Sequence, residues 1–363
     1  MVRSAPSRRS TGRREFQKRV KILFLREKIS WFGGHSGYEQ LTRYVSAQSP
    51  VSIVKPRSGP AARYLGSTYA RLHGRYGRGA TSLSELEFRT RRGLRRFDAC
   101  HILYLENHLE LLSDLAQPGK NLVGTIHLPP AVWKPEQCQW LPRLNSALVL
   151  YQRDLPFFEQ HLGKGRVHFI HHGADTGFFK PDSAKLVMPP RLLYSGVYLR
   201  NEPMLVRVVD RLVKKFPDLR FDLLVPLHHR QSPALAPLRQ HPAVTWHAGL
   251  NDEQLRELYQ QSYLMLLPMN DSGANTAVVE ALTSGLPVVT TDVGGIRDYA
   301  GGEIFPVVAN NDDDAMIALV EQYLNQPAWR TETGRRCRQF TEQKMAWPLV
   351  AQKHLELYRN LAT

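Results

Sequence analysis

A stretch late in the chain has the residue types and spacing to bind a nucleoside diphosphate. Residues 268–299, PMNDSGANTAVVEALTSGLPVVTTDVGGIRDY, follow an apolar run typical of a buried strand. Asp271 and Ser272 can cap a helix whose first turn is Gly-Ala-Asn-Thr. Free backbone N–H groups and a positive dipole end at such a helix N-terminus attract phosphate. The amides of Thr276 and Ala277 are therefore candidates for donating hydrogen bonds to a phosphate.

Glu280 is the candidate for binding the ribose of the same ligand. It lies eight residues after Ser272. At a helical rise of about 1.5 Å per residue this spacing is about 12 Å, the reach from a phosphate to a ribose. A carboxylate there can accept hydrogen bonds from two ribose hydroxyls. The alternative is an ordinary capped helix with Glu280 on a solvated face, because a glutamate often follows a helix cap.

The segment ANTAVVEALTSGLPVVTTDVGGIRDYAG, residues 274–301, resembles the donor-binding signature of the retaining glycosyltransferases of family 4, which have the GT-B fold. The resemblance implies that this helix begins at the donor diphosphate and that Glu280 binds the ribose. The family pattern has an earlier glutamate that contacts the donor sugar. In this chain Ser272 stands at that position, and Asp271 is one residue out of register.

Three other sites fit the same resemblance. Gly33 and Gly34 follow the first predicted strand, where glycines let backbone N–H groups approach a ligand closely. His127 in Thr-Ile-His-Leu-Pro resembles the family histidine beside the donor sugar, although a lone histidine after a strand is more often structural. Arg200 is the cation nearest the glycine that ends the strand at 192–196, and we predict that it binds the diphosphate. The alternative is a surface arginine.

These predictions define a set of candidate site residues. The catalytic candidates are His127, Arg200 and Glu280. The donor-binding candidates are Gly33, Gly34, Arg200, Ser272, Asn275, Thr276, Ala277 and Glu280. On the acceptor side, Glu106, Asn107 and His108 follow a predicted strand, and polar residues at the carboxyl ends of parallel strands face the ligand crevice.

The elements that position these residues alternate between short apolar runs and amphipathic helices, which indicates an α/β protein with parallel sheets. We predict strands at 20–25, 51–54, 101–105, 121–126, 146–150, 167–170, 192–196, 220–225, 244–247, 263–267 and 288–291. The resemblance implies two Rossmann-like domains facing a cleft. The domains are a basic tail at 1–18, an acceptor domain at 19–181, a donor domain at 182–345 and a helix at 346–363 that returns to the first domain.

Composition supports a globular chain of two α/β domains. The protein has 363 residues with 42% hydrophobic content, and its apolar runs are shorter than the ~18 residues that span a membrane. The basic N-terminus lacks the apolar core of a secretory signal. The cysteines, Cys100, Cys138 and Cys337, have neither metal-binding nor redox spacing. We therefore expect a cytoplasmic protein.

The net charge of +15 is concentrated in two segments of the N-terminal half. Residues 1–21 carry a net charge of +7 and residues 57–96 a net charge of +8. In the second segment, arginines are interleaved with tyrosines and leucines. Such patches attract anionic lipid, anionic glycans or nucleic acid. A disordered tail and a solvated helix face are the alternatives.

The resemblance implies transfer of a hexose from a UDP- or GDP-sugar to a glycan or lipid-linked acceptor, with retention of configuration and without metal or cofactor. Asp312-Asp313-Asp314 is interpreted as a helix cap rather than a metal site, because a helix follows directly. A nucleotide-sugar binder that has lost turnover is the alternative, motivated by Ser272. A basic nucleic-acid binder is a third possibility, although the sequence carries no recognised nucleic-acid module.

Overall fold

The computed structural model describes residues 19–27, 29, 33–57, 59–72, 79–94, 96–113, 121–273 and 275–362. The predicted basic tail, residues 1–18, lies outside these described residues.

Two parallel six-stranded sheets form the framework of the described chain. The first has the order β2-β1-β3-β4-β5-β6 and the second the order β12-β11-β10-β7-β8-β9. The strands are β1 Ile22–Leu25, β2 Val51–Val54, β3 Ala99–Ile102, β4 Leu122–Ile126, β5 Ser146–Val149, β6 Val167–Phe169, β7 Arg191–Ser195, β8 Arg220–Leu224, β9 Val244–His247, β10 Leu264–Leu267, β11 Val288–Thr291 and β12 Val307–Val308. The prediction of a two-sheet GT-B architecture is confirmed.

Helices connect successive strands, as parallel pairing requires. They are α1 Leu41–Ser46, α2 Pro60–Leu72, α3 Gly79–Leu94, α4 Leu109–Ser113, α5 Pro135–Cys138, α6 Leu155–Leu162, α7 Glu202–Lys215, α8 Asp252–Gln261, α9 Thr276–Thr283, α10 Asp313–Asn325, α11 Pro327–Lys344 and α12 Trp347–Leu361. No helix in the described part of the chain is long and apolar enough to cross a membrane.

Most predicted strands agree with the structure to within two residues, and two differences affect the site. The strand predicted at 101–105 is β3, which begins at Ala99 and ends at Ile102. The chain then bends, and Leu105–His108 form a 3-10 turn. The apolar run therefore continues past the end of the strand, because the turn itself is buried. The short edge strand β12 was not predicted.

The last helix packs on the first sheet although it follows the second domain. Trp347, Leu355 and Tyr358 of α12 share a buried cluster with Ile22 and Phe24 of β1. A hydrogen bond also helps to orient α12 on the sheet, because the Tyr358 hydroxyl lies 2.6 Å from Nδ1 of His101 within this core. The prediction that this helix returns to the first domain agrees with the packing.

Candidate active site

The strand orders place a ligand crevice at a definite edge of each sheet. In open α/β sheets, ligands bind beyond the carboxyl ends of the strands where the strand order reverses. In the second sheet the order reverses between β7 and β10, and in the first sheet it reverses between β1 and β3. Arg200 follows β7, Asn275 follows β10, and Gly33 and Gly34 follow β1. The predicted donor residues therefore surround the two reversal points.

The donor helix α9 begins later than the sequence predicts. Asn275 caps it, accepting a hydrogen bond of 3.4 Å from the Val278 amide. The prediction that Asp271 and Ser272 cap this helix is wrong. Asp271 instead forms an ion pair of 2.8 Å with Arg153 of the first domain. The helix starts at Thr276, so Glu280 lies only about 6 Å along the axis from the first helical residue.

Glu280 is buried and holds one oxygen ready for a ligand. Its Oε2 accepts a hydrogen bond of 2.9 Å from the Tyr259 hydroxyl on α8, whereas Oε1 has no hydrogen-bond partner among the described residues. Burial raises the pKa of this carboxyl to about 7, against the opposing influence of the Ser36 and Tyr259 hydroxyls. The solvated helix face considered for Glu280 is therefore wrong, and its free oxygen can accept a ligand hydroxyl.

Arg200 lies at the β7–β10 reversal point with a well-fixed guanidinium. It donates to the Ser195 carbonyl at 3.0 Å, to the Tyr198 carbonyl at 3.1 Å and to Asn275 Oδ1 at 3.2 Å. Burial lowers the pKa of this guanidinium. Its nearby groups are carbonyl and amide oxygens rather than carboxylates, so its charge is available to an anion beside the N-terminus of α9.

The Gly33–Gly34 loop reaches across to the second domain. The Gly34 amide donates a hydrogen bond of 2.8 Å to Oδ2 of Asp252, the first residue of α8. A Cβ atom on Gly33 would lie 1.8 Å from Asp252 Oδ1, so only glycine allows this approach. The following residue, His35, contacts Asp175 at 2.7 Å. The amide predicted to contact the donor is thus held by a carboxylate.

His127 follows β4 and faces the second domain. Its ring stacks on Tyr104 at a centroid distance of 4.5 Å and meets the edge of Tyr38 at 5.0 Å. Its Nδ1 lies 3.7 Å from Glu106 Oε2, which is within ion-pair range but too long for a hydrogen bond. Neither ring nitrogen has a hydrogen bond to any described residue. A Cβ atom on Gly273, in the loop before α9, would lie 2.6 Å from the His127 carbonyl oxygen. The backbone of His127 therefore lies beside the loop that precedes α9.

The three acceptor-side candidates do not form one group. Glu106 accepts hydrogen bonds from the His127 and Leu128 amides, the latter at 2.7 Å, so it braces the His127 loop. Burial alone would raise the pKa of the Glu106 carboxyl, but the neighbouring His127 imidazole and the backbone amides have the larger combined effect and lower this pKa. Asn107 and His108 instead contact carboxylates elsewhere in the first domain. Asn107 donates to Glu27 at 2.5 Å, and buried His108 contacts Glu85 of α3 at 2.9 Å.

The Ser272 hydroxyl is hydrogen-bonded to Tyr151, a residue that we did not predict to be part of the site. The Tyr151 hydroxyl, two residues after β5, lies 2.8 Å from Ser272 Oγ and also donates to the Gly273 carbonyl. Its neighbour Gln152 donates to Asp298 at 2.8 Å. The cleft is thus bridged by contacts between domains. The carboxyl-end rule applied to the strand at 146–150 would have indicated Tyr151.

Asp312 caps α10 by accepting a hydrogen bond of 2.9 Å from the Ala315 amide, as predicted. The next two aspartates form ion pairs with Arg207 and Arg211 of α7, each at 2.5 Å. Within the described residues, no group of three His, Cys, Asp or Glu side chains is arranged to hold a metal ion. The cysteines Cys100, Cys138 and Cys337 are buried and free.

Comparison with known sequences gives matches to glycosyltransferases. Residues 189–326 match the family of group 1 glycosyl transferases. The chain is 25% identical to the MMP alpha-(1->4)-mannosyltransferase of Mycolicibacterium hassiacum over 278 residues, which cover 69% of this chain and 67% of the relative. It is 23% identical to the D-inositol 3-phosphate glycosyltransferase of Streptomyces avermitilis, covering 54% of this chain and 47% of the relative. The chain thus matches only about half the length of that relative.

Comparison with solved structures extends the likeness to the whole fold. Sucrose-phosphate synthase from Thermosynechococcus elongatus has a TM-score of 0.75 at 16% identity, covering 94% of this chain and 99% of the other. HepE of Anabaena, solved with UDP-glucose, has a TM-score of 0.69 at 13% identity, covering 94% and 100%. Residues 189–326 thus match the group 1 glycosyl transferases, and the chain as a whole has the GT-B fold.

Proposed function

We propose that the protein transfers a hexose from a nucleoside diphosphate sugar to a glycan or lipid-linked acceptor, with retention of configuration. The observation that carries this proposal is the pair of uncommitted groups on the two sides of the cleft. Glu280 keeps one carboxylate oxygen without a hydrogen-bond partner on the second domain. On the first domain, His127 Nε2 has no partner among the described residues, and Nδ1 has only the longer contact of 3.7 Å with Glu106. Buried polar atoms without partners are costly unless a ligand satisfies them.

The nucleotide lies on the second domain in this proposal. The ribose hydroxyls donate to Glu280, and the diphosphate lies between the Arg200 guanidinium and the first-turn amides of Thr276 and Ala277. Asn275 links Arg200 to α9, since its side chain caps this helix and also accepts a hydrogen bond from the Arg200 guanidinium. The sugar then extends towards His127 and Gly273.

The chemical step is a substitution at the anomeric carbon on one face of the sugar. The bond from this carbon to the diphosphate oxygen breaks, and the acceptor oxygen bonds to the same face. The acceptor proton passes to an oxygen of the leaving phosphate. Arg200 and the amides of α9 stabilise the negative charge that develops on the diphosphate. We propose that this step uses neither a metal ion nor a cofactor.

His127 has a separate role beside the transferred sugar. The Tyr104 and Tyr38 rings fix the plane of its imidazole, while Glu106 holds the loop through its backbone amides. The ring nitrogens can then contact a sugar hydroxyl. Ser272 and Tyr151 replace the family glutamate near this sugar, so their two hydroxyls offer neutral contacts where the family has a charge.

The first experiment is a thermal-shift panel with UDP, GDP, ADP and their sugars, followed by donor hydrolysis assays without acceptor. A nucleotide at a hundred times its Kd should stabilise the protein by ~2.7 kcal/mol. Binding with release of free sugar supports an enzyme. Binding without any turnover supports the alternative of a catalytically inactive binding partner, which the replacement of the family glutamate by Ser272 favours. The relative solved with UDP-glucose makes UDP-glucose the first donor to try.

The acceptor side includes an exposed basic and apolar surface, which we propose docks on an anionic membrane. We call this surface the α2 face; it comprises Arg63, Tyr64, Leu65, Arg71 and Leu72. Tyr64 is 74% exposed and Leu72 is 79% exposed. Gly66 and Ala70 of the same helix are buried. An amphipathic helix with arginines beside exposed apolar side chains suits the interface of an anionic lipid layer.

Several other arginines of residues 57–96 are less available for docking. Arg91 forms an ion pair of 2.6 Å with Glu87, and Arg92 donates to Asn121 at 3.4 Å, so both are partly engaged within the protein. Arg95 lies outside the described residues. Arg63 and Arg71 are exposed and lie on the same helix as the exposed Leu65 and Leu72, so they are better placed for docking. In this proposal the protein works at the cytoplasmic face of the membrane, where anionic lipids are concentrated.

A further inference from the structure

The Gly33–Gly34 loop after β1, whose amides we predict to bind the donor, is bound by a carboxylate of the second domain. Gly34 donates its amide to Asp252 Oδ2 at 2.8 Å. Asp252 makes no ion pair with any residue that the structure describes, although it is half-buried at the first turn of α8. Its charge is therefore balanced by the Gly34 amide and the helix N-terminus alone.

The fit of this carboxylate on the loop is close. Asp252 Oδ1 occupies the space that a side chain on Gly33 would fill, at 1.8 Å from an ideal Cβ position. Its negative charge also contributes to the raised pKa of Glu280, although burial is the main cause. Asp252, Gly34 and Glu280 thus share one region of the cleft. A diphosphate with two or more negative charges cannot share this region with Asp252 without repulsion.

We infer that Asp252 is a resident anion of the donor site, which holds the Gly33–Gly34 loop in the empty protein and is displaced from the Gly34 amide when the donor diphosphate binds. This inference rests on the proposed function. Asp252 acts through the loop, so it is a positioning residue. It lowers the affinity for the diphosphate, because the hydrogen bond to Gly34 must break before phosphate can replace it.

The test compares Asp252→Ala with the wild type by calorimetry, using UDP, GDP, uridine and guanosine. Loss of the competing carboxylate should tighten binding of the matching nucleoside diphosphate about tenfold and leave its nucleoside within about twofold. Asp252→Asn keeps an acceptor oxygen without the charge. Its affinity for the nucleoside diphosphate should therefore lie between those of the wild type and Asp252→Ala. Glu253→Ala is the matched control, since it removes the same charge from the same exposed helix turn.

Hydrogen exchange at the Gly34 amide provides a readout independent of affinity. Without nucleotide, this amide should be protected in the wild type and exposed in Asp252→Ala. Adding the nucleoside diphosphate should restore protection in the variant, because phosphate then accepts the hydrogen bond. Equal protection of Gly34 in both empty proteins would overturn the inference.

The affinity results also separate this inference from the proposed function. Weaker diphosphate binding by Asp252→Ala would mean that Asp252 contacts the nucleotide, and unchanged binding would mean that no displacement occurs. Either result overturns the role of Asp252 while the proposed function stands. If the wild type binds no nucleoside diphosphate, the proposed function and the inference both fail.

Discussion

Tyr259 on α8 donates a hydrogen bond of 2.9 Å to Glu280 on α9 and leaves the other oxygen of this buried carboxylate without a partner. The two helices are thereby joined at the residue proposed to bind ribose. Tyr259 fixes the orientation of the carboxylate, and the free oxygen determines what the site can accept. This relationship makes Glu280 the most direct residue for testing the donor site.

Glu280→Gln should weaken the binding of nucleoside diphosphate by ~1.5–3 kcal/mol, the range for a hydrogen bond to a charged group. The amide keeps the size of the side chain and can still accept from Tyr259. Calorimetry with UDP and GDP measures the loss, and Glu257→Gln on the exposed side of α8 is the control. Unchanged affinity in a folded Glu280→Gln protein would contradict the ribose assignment.

Glu280 should also destabilise the folded protein as the pH rises. Its folded pKa is raised from 4.5 to about 7, so the stabilisation associated with the protonated form is present below about pH 4.5 and is lost as the pH rises through about 7. Glu280→Gln should remove this dependence. The difference in free energy of unfolding between the variant and the wild type should therefore shift in favour of the variant by up to roughly 3 kcal/mol as the pH rises from about 5 to about 8.

Urea unfolding at these two pH values measures the effect. A gain that is the same at both pH values would show that the carboxyl has an ordinary pKa. A gain at the acid pH alone would contradict the sign of the shift. The combination of weaker nucleotide binding and higher stability in one variant is the pattern expected when a binding group is buried without a full set of partners.

His127→Ala should lower sugar transfer about a hundredfold while leaving the affinity for free nucleotide nearly unchanged, because the proposed nucleotide site is on the other domain. His127→Phe separates chemistry from packing. It keeps a ring between Tyr38 and Tyr104 but lacks nitrogens, so it should be as slow as the alanine variant. Recovery of transfer in the phenylalanine variant would show that His127 is a structural residue.

Arg200→Met should weaken the binding of nucleoside diphosphate about ten- to a hundredfold and leave the nucleoside almost unaffected, since the lost partner is the phosphate. Arg207→Met is the control, because it removes an exposed arginine of α7 that pairs with Asp313. Calorimetry with the diphosphate and the nucleoside provides the comparison. An equal loss for both ligands would indicate that Arg200 shapes the site instead of binding phosphate.

The α2 face should bind vesicles containing anionic lipid, and binding should fall with added salt. We expect the variant Arg63→Ser/Leu65→Ser/Arg71→Ser/Leu72→Ser to lose most of this binding in co-sedimentation. Arg211→Ser/Lys214→Ser on the second domain is the control for loss of positive charge. Binding that ignores lipid charge, salt and the α2 substitutions would exclude this docking surface. Donor hydrolysis should persist in the α2 variant.

Local signals in the sequence determined the framework of this protein. The apolar runs and the helix breakers Gly285 and Pro287 located β10, α9 and β11, and the periodicity of 347–361 located α12. Such features depend on neighbours a few residues away, so the sequence contains them directly. The local pattern placed Glu280, Arg200 and His127 after a strand or on a helix, and the resemblance to the family 4 glycosyltransferases selected them as candidate site residues.

Tertiary structure alone decided which side chains meet in the cleft. Gly34 and Asp252 are separated by more than half the chain, as are Tyr38 and Trp347 of the core, and no local pattern pairs them. The end of β3 was decided the same way. The apolar run continues to Leu105 because the turn is buried, and that turn sends Glu106 towards His127 but His108 towards α3. Spacing along the chain cannot show that Glu106 and His108, two residues apart, contact different elements, because packing across the domain determines where each side chain points.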